Sequence, residues 1–193
     1  MMNISHIIDN LIGGNRARVI VDRIFPYIKN SKSIIDIGCG TGHISALLVE
    51  KNKKVTAVDI KNNSFVPSVK VVVYDGKSLP FKNKLFDTSL LITVLHHTPS
   101  PQVIFSEAAR VGKNIVVMET VYKSFIGKII IGIFDSILNR QLKPHWNSYK
   151  SDTQWRHFFR HYGFEVVSAQ YYKDNIFGLP YHHYLYSLKK YLK

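Results

Sequence analysis

Ile34 to Ser45 reads IIDIGCGTGHIS: an apolar run that meets an aspartate and then three glycines on alternate positions. The run predicts a short buried strand over Ser33–Ile37. The residues after it predict a helix over Thr41–Lys51, with Ile44, Leu47 and Leu48 on one face. Between the two the chain must turn sharply, and a ligand bound there approaches the backbone so closely that a Cβ would collide. Gly38, Gly40 and Gly42 remove that obstacle. The free N–H groups and the positive end of the following helix then face an anion such as a carboxylate or phosphate. Dinucleotide sites use the spacing G-x-G-x-x-G. Here the third glycine comes one residue early, and His43 stands where theirs would be.

Working outward, apolar runs predict further strands over Lys54–Asp59, Val69–Tyr74, Asp87–Thr93 and Asn114–Glu119, with a helix over Pro101–Val111. Residues 1–31 carry helical spacing around a break at Gly13-Gly14. Strands alternating with helices imply parallel βαβ units. Later, Ser151 or Asp152 is placed to cap a helix ending near Tyr162, before Gly163. Phe164–Tyr172 and Tyr181–Leu188 read as two final antiparallel strands around the turn-prone DNIFGLP. The expected fold class is α/β: a Rossmann-like doubly wound sheet of about seven strands, mostly parallel with an antiparallel last strand.

A chain of 193 residues is long enough for one domain and short for two. Its 46% hydrophobic and 20% charged composition is that of a globular protein. No signal-like start or unbroken apolar run of membrane-span length is present, so the expected location is cytoplasmic. The single cysteine, Cys39, supplies neither a disulfide framework nor a thiolate cluster. The net charge is +13, and residues 121–193 hold eleven Lys and Arg against four Asp and Glu, with nine of the eleven tyrosines and both tryptophans. Basic plus aromatic composition fits a nucleic-acid surface, an anionic lipid surface, an acidic substrate or a merely solvated face.

The acidic residues narrow the ligand. Asp36 precedes the loop, where a carboxylate reaches a positive amino group and a pyrophosphate gains nothing from it. Asp59 ends the second strand, placed to accept from both ribose hydroxyls. Asp75 ends the third strand, placed for an adenine amino group, although Asp-Gly is also a plain turn signal. Three carboxylates at successive strand ends suit a net cationic adenosine cofactor, which describes S-adenosyl-L-methionine.

DIGCGTG, VTAVDI and YDGKSLPFKNKLFDTSLLITVLHHTP, in this order and spacing, resemble the class I S-adenosylmethionine-dependent methyltransferases, in particular the methyltransferase-11 group. The resemblance runs from about Ser33 to Glu119. It implies that Asp36, Gly38, Cys39, Gly40 and Gly42 wrap the methionine half of the cofactor. By the same resemblance Asp59 and Ile60 hold ribose and adenine, Asp75 and Gly76 the adenine edge, and Thr93 with Leu95 the region under the sulfonium. Arg16 and Arg18 are weaker carry-overs for the cofactor carboxylate.

His96 and His97 follow the fourth strand, at the sheet end where open α/β folds bind ligands. An imidazole there is suited to take a proton from a substrate, and equally to a cofactor-facing or structural role. His182 and His183, adjacent in a strand, point to opposite faces, and no metal is expected. Tyr122–Asn139 is broadly apolar, and residues 120–162 read as a helical insertion forming a lid or substrate wall. Core packing and membrane contact are the competing readings of its apolar face. Arg156, His157, Arg160 and His161 would form a basic helix face.

Methyl transfer needs alignment, exclusion of water and removal of any proton on the acceptor, so the lack of a triad or metal cluster is no objection. TVLHHTP stands where an N-P-P-Y-type tetrad would mark an amino acceptor, which favours a small-molecule acceptor, lipophilic or anionic. The competing expectations are RNA as acceptor, through the basic C-terminal third, and a non-catalytic S-adenosylmethionine-binding protein. The glycine spacing argues against a nicotinamide dehydrogenase.

Overall fold

The computed structural model describes residues 4–122, 129, 148–176 and 179–191. Apart from Tyr122 and Ile129, the expected helix over 122–139 lies outside the described residues, as does the loop from Gln141 to residue 147. The reading of 120–162 as a lid rests largely on them.

Seven strands form one sheet. They are β1 (Ser33–Ile37), β2 (Lys54–Asp59), β3 (Val71–Val73), β4 (Phe86–Ile92), β5 (Gly112–Val121), β6 (Phe164–Ile176) and β7 (Leu179–Lys190), in the order β3-β2-β1-β4-β5-β7-β6. β1 pairs with β2 and β2 with β3 in parallel, while β7 runs antiparallel to both β5 and β6. The helices are α1 (Ile4–Ile28), α2 (His43–Glu50), α3 (Pro101–Val111) and α4 (Asp152–His161). The mixed α/β architecture is the one the strand pattern predicts. The chain forms two compact units, Met1–Leu90 with Glu107–Lys113, and Leu91–Ser106 with Asn114–Lys193.

In the first unit, Ala17, Ile20, Val21, Ile24 and Ile28 bury one stripe of α1, and the β1 residues Ile34, Ile35 and Ile37 are fully buried. The expected break at Gly13-Gly14 is absent, for α1 is one helix across it. The glycines serve closeness instead: a Cβ on Gly13 would stand 3.5 Å from the His43 ring. α2 begins two residues later than the periodicity suggests, because Gly42 at φ 79° is left-handed and cannot join a right-handed helix. β3 is shorter than expected and reached without a helix, since the polar, Pro67-containing stretch after Asp59 has no helical face.

The second unit is built around an aromatic cluster. Trp155, Phe158 and Phe159 of α4 pack with Phe105 of α3, Phe164 of β6 and Tyr186 of β7. Phe105, Trp155, Phe159 and Tyr186 are fully buried, each contributing roughly 2–3 kcal/mol of burial. Ser151 caps α4 through a reciprocal capping box with Gln154. The final strands run longer than predicted, and the pairing Asn175↔Pro180 and Ile176↔Leu179 carries the ladder into the DNIFGLP stretch. Its tip, residues 177–178, lies outside the described residues.

Candidate functional site

Gly38, Gly40 and Gly42 have φ of 75°, 51° and 79°, conformations that side chains with a Cβ resist. Two of them have different spatial surroundings. A Cβ on Gly42 would meet Ser64 Oγ at 2.5 Å, whereas one on Gly40 would find no heavy atom within 4 Å. Gly42 is therefore required by packing, and Gly40 borders open space. Asp59 secures this turn: its Oδ2 accepts from Gly40 N at 2.8 Å and its Oδ1 from Ile60 N at 2.7 Å.

Asp36 is buried and accepts from Ser45 Oγ at 2.6 Å. Burial pushes its carboxyl up from 3.8 to about 6, the Ser45 bond opposes this, and the charge of Asp59 adds to it. A buried carboxylate whose charge is disfavoured in this way is one that a cationic group would relieve. Cys39 is buried, and burial with the charges of Asp36 and Asp59 pushes its thiol far up, so it is not a thiolate. Tyr74 is likewise pushed up to about 12 by burial, with Asp59, Asp75 and Glu107 contributing.

Asp75 is exposed, and its Oδ1 accepts from Lys77 N and Ser78 N, both at 2.8 Å. That is an Asx turn, which shapes the DGKSLPF segment. A Cβ on Gly76 would lie 3.2 Å from Ile60 Cγ2, so Gly76 and the exposed Ile60 adjoin. Arg110 anchors the rest of the segment, donating to Leu79 O at 2.9 Å and Phe81 O at 2.6 Å while paired with Glu107, which in turn accepts from Leu79 N at 2.7 Å. Arg16 and Arg18 are exposed on α1.

In the second unit, Thr93 follows β4 directly at φ 55°, a strained value for a β-branched residue, and donates from its N–H to Met118 O at 2.6 Å. A 3-10 turn over Leu95–His97 follows. Glu119, wholly buried on β5, holds this turn: Oε1 accepts from Val94 N at 3.0 Å and Leu95 N at 2.7 Å, and Oε2 contacts His96 Nδ1. His96 is buried, with its ring 4.0 Å from that of His97 and 5.1 Å from that of Tyr149 between centroids. Glu119 is the residue that sequence reading missed. An acid ending the apolar run NIVVMET is the same strand-end signal that flagged Asp36 and Asp59.

Residues 35–115 match the methyltransferase-11 family model, described as a methyltransferase domain. The match covers less than half of the chain and makes that segment similar to a methyltransferase domain. An uncharacterized protein of Methanocaldococcus jannaschii is 33% identical over 106 residues, 52% of this chain and 44% of the relative. A tRNA U34 carboxymethyltransferase of Nautilia profundicola is 28% identical over 96 residues, 44% of this chain and 32% of the relative. The matched segments thus span less than half the length of these curated relatives. Magnesium protoporphyrin IX methyltransferase from Synechocystis PCC 6803, solved with bound SAH, shares the fold with a TM-score of 0.64 at 13% identity, covering 98% of this chain and 89% of that one.

Beside the LHH turn, the second unit has an open groove of about 840 Å3, lined among others by Gln102, Tyr149, Lys150, Thr153, His157 and His161. The basic face expected on this helix is divided. His157 and His161 face the groove, while Arg156 pairs with Asp152 at 2.9 Å and stands over the Tyr186 ring. Tyr186 donates to the same Asp152, and burial pushes its hydroxyl far up. His182 stacks on Tyr171 and His183 on Tyr181, on opposite faces of β7. Among the described residues no group of three His, Cys, Asp or Glu gathers as a metal site, and no helix is long and apolar enough to cross a membrane.

Proposed function

We propose that the chain, acting as one methyltransferase domain, moves a methyl group from S-adenosylmethionine to a small-molecule acceptor. In this reading Asp36, Gly38, Cys39, Gly40 and Gly42 hold the methionine half. Asp59 and Ile60 take the ribose and adenine, Asp75 and Gly76 the adenine edge, and Thr93 and Leu95 complete the set. The cofactor supplies a methyl group on a sulfonium, whose C–S electron pair stays with sulfur when the acceptor attacks. The protein's part is alignment, exclusion of water and removal of a proton from the acceptor, by His96 or His97. Its reactions belong to the cytoplasm.

The observation that carries the small-molecule reading is the groove beside His96. Its volume of about 840 Å3 falls within the range of metabolite sites, and Tyr149 belongs both to its wall and to the packing of His96. Lys150, His157 and His161 in that wall favour an acceptor bearing an anionic group. The test is methyl transfer from isotopically labelled S-adenosylmethionine into a cell extract separated into metabolite and RNA fractions. Label confined to metabolites is expected.

RNA is the second reading, favoured by the same basic groove and by the tRNA-modifying relative. Label in RNA, with affinity that falls as salt rises because phosphate contacts release counterions, would establish it. Binding of S-adenosylmethionine with no transfer into either fraction would favour a non-catalytic binding protein.

A further inference from the structure

We propose that His157 and His161 form a two-imidazole site for a divalent late transition-metal ion, Zn2+, Ni2+ or Cu2+, on the groove wall of the second unit.

The pair is set by α4, which runs from Asp152 to His161. Residues four apart on an α-helix are neighbours one turn apart, with Cβ atoms about 5–6 Å from each other. That spacing lets one nitrogen of each imidazole reach a shared ion at about 2.0–2.1 Å. The bond from Tyr162 N to Phe158 O, at 3.2 Å, carries the four-residue pitch one residue past His161. Phe158 and Phe159, between the two histidines, are buried in the aromatic cluster. Both histidines are exposed and line the groove.

Availability separates these two from the other described histidines. His43, His96, His182 and His183 each make a side-chain hydrogen bond, and His97 packs against the ring of His96. Among the described residues none hydrogen-bonds to the ring of His157 or His161, and the His161 ring meets Tyr162 only edge to face. A neutral imidazole keeps one nitrogen lone pair for a ligand, so the two rings together offer two.

The donor set selects the ion. None of the described groove-wall residues is acidic, and Lys150 in the same wall is cationic, which disfavours Mg2+ and Ca2+, ions that take oxygen ligands. Imidazole nitrogen suits Zn2+, Ni2+ and Cu2+. His161 is the last residue of α4, where the partial negative charge of the helix end favours a cation. The ammonium of Lys150 lies 5.4 Å from the Trp155 ring centroid. Two protein ligands leave two positions of a tetrahedral ion open. Water fills them in the free protein. That an oxyanion of the methyl acceptor replaces this water rests on the function proposed above, whereas the metal site itself does not.

Zinc chloride titrated into untagged protein tests the site. Long-range 1H–15N correlation spectra follow the imidazoles, with the two signals assigned by their loss in H157N and H161N. Zinc should shift both rings together, and at lower concentration than it shifts any other histidine. By calorimetry each single variant should bind zinc about tenfold more weakly or worse, and H157N/H161N should lie within about threefold of either single variant, because a chelate is lost with its first ligand. Without zinc the variants should melt as the wild type does, since both side chains are exposed. Wild-type rings that zinc leaves unmoved, zinc taken first by other histidines, or single variants that bind zinc as tightly as the wild type would each overturn the proposal. The wild-type spectrum alone decides if a variant does not fold. Zinc on the pair without any methyl transfer would sink the functional reading and leave the metal site standing. Transfer into a metabolite with both rings untouched by zinc would do the reverse.

Discussion

The carboxylate of Asp59, at the end of β2, accepts from the backbone N–H of Gly40 at 2.8 Å, so the middle glycine of the loop after β1 is positioned by the next strand. The same carboxylate takes the N–H of Ile60 at 2.7 Å. Loop shape thus depends on this side chain, and under the proposed function ligand recognition does too. Asp59→Ala should raise the dissociation constant for S-adenosylmethionine at least tenfold and also lower Tm, because hydrogen bonds to a charged group contribute about 1.5–3 kcal/mol each. Calorimetric titration and thermal melting check both, and a variant that melts lower but binds as the wild type would remove Asp59 from the cofactor site.

Asp36 yields a prediction of opposite sign for stability and binding. Its folded-state value of about 6 exceeds the ordinary 3.8, so the native state holds this proton more tightly than the unfolded chain does. The cost of the buried charge, ~3 kcal/mol by linkage at most, is fully present above pH 6 and fades as the pH falls toward 4. Asp36→Asn should therefore stabilise the unliganded protein at pH 8 and flatten the difference between the two melting curves below pH 5. Affinity for the cofactor's ammonium should drop at least tenfold in the variant. In the wild type it should fall as the pH is lowered through 6. Affinity independent of pH across this window would separate Asp36 from the ammonium.

Two glycines of one loop should respond differently to the same substitution. At Gly42 an alanine Cβ would meet Ser64 Oγ at 2.5 Å with φ at 79°, and a loss of about 2 kcal/mol is expected from strain and overlap together. At Gly40, with φ 51° and no atom within 4 Å, only the backbone preference is lost, about 1 kcal/mol. Gly40→Ala should nonetheless weaken cofactor binding at least as much as Gly42→Ala does. Urea unfolding beside a binding titration distinguishes them, and unimpaired binding by G40A would show that no ligand uses the space beside it.

The groove is tested by filling it. Thr153 lies exposed on α4 and lines the groove without belonging to the aromatic cluster beneath. Thr153→Trp should leave Tm and S-adenosylmethionine affinity near wild type and raise the KM for the acceptor at least tenfold. An unchanged acceptor KM would place the acceptor elsewhere.

Local chemistry made much of this protein legible from the chain alone. The apolar runs placed β1, β2 and α3 to the residue, because burial on both faces of a strand and on one face of a helix writes a period into the sequence. Gly38, Gly40 and Gly42 and the acids around them are contiguous or at strand ends, so their spacing alone pointed to an adenosine cofactor without a phosphate. Gly13-Gly14 misled because helix propensity is weak against tertiary packing, and the pair lies against the His43 ring, far away in sequence.

Contacts between distant residues were decided only in three dimensions. Nothing in the order of residues says that Glu119 takes the N–H groups of Val94 and Leu95, or that Arg110 anchors the backbone of Leu79 and Phe81. The Glu119 contacts depend on which strand lies beside which, and on a buried carboxylate finding donors where water is excluded. The sequence by itself determined the glycine loop after β1, whose residues are neighbours along the chain. The tertiary structure decided how the histidine turn is held, because its carboxylate arrives from another strand.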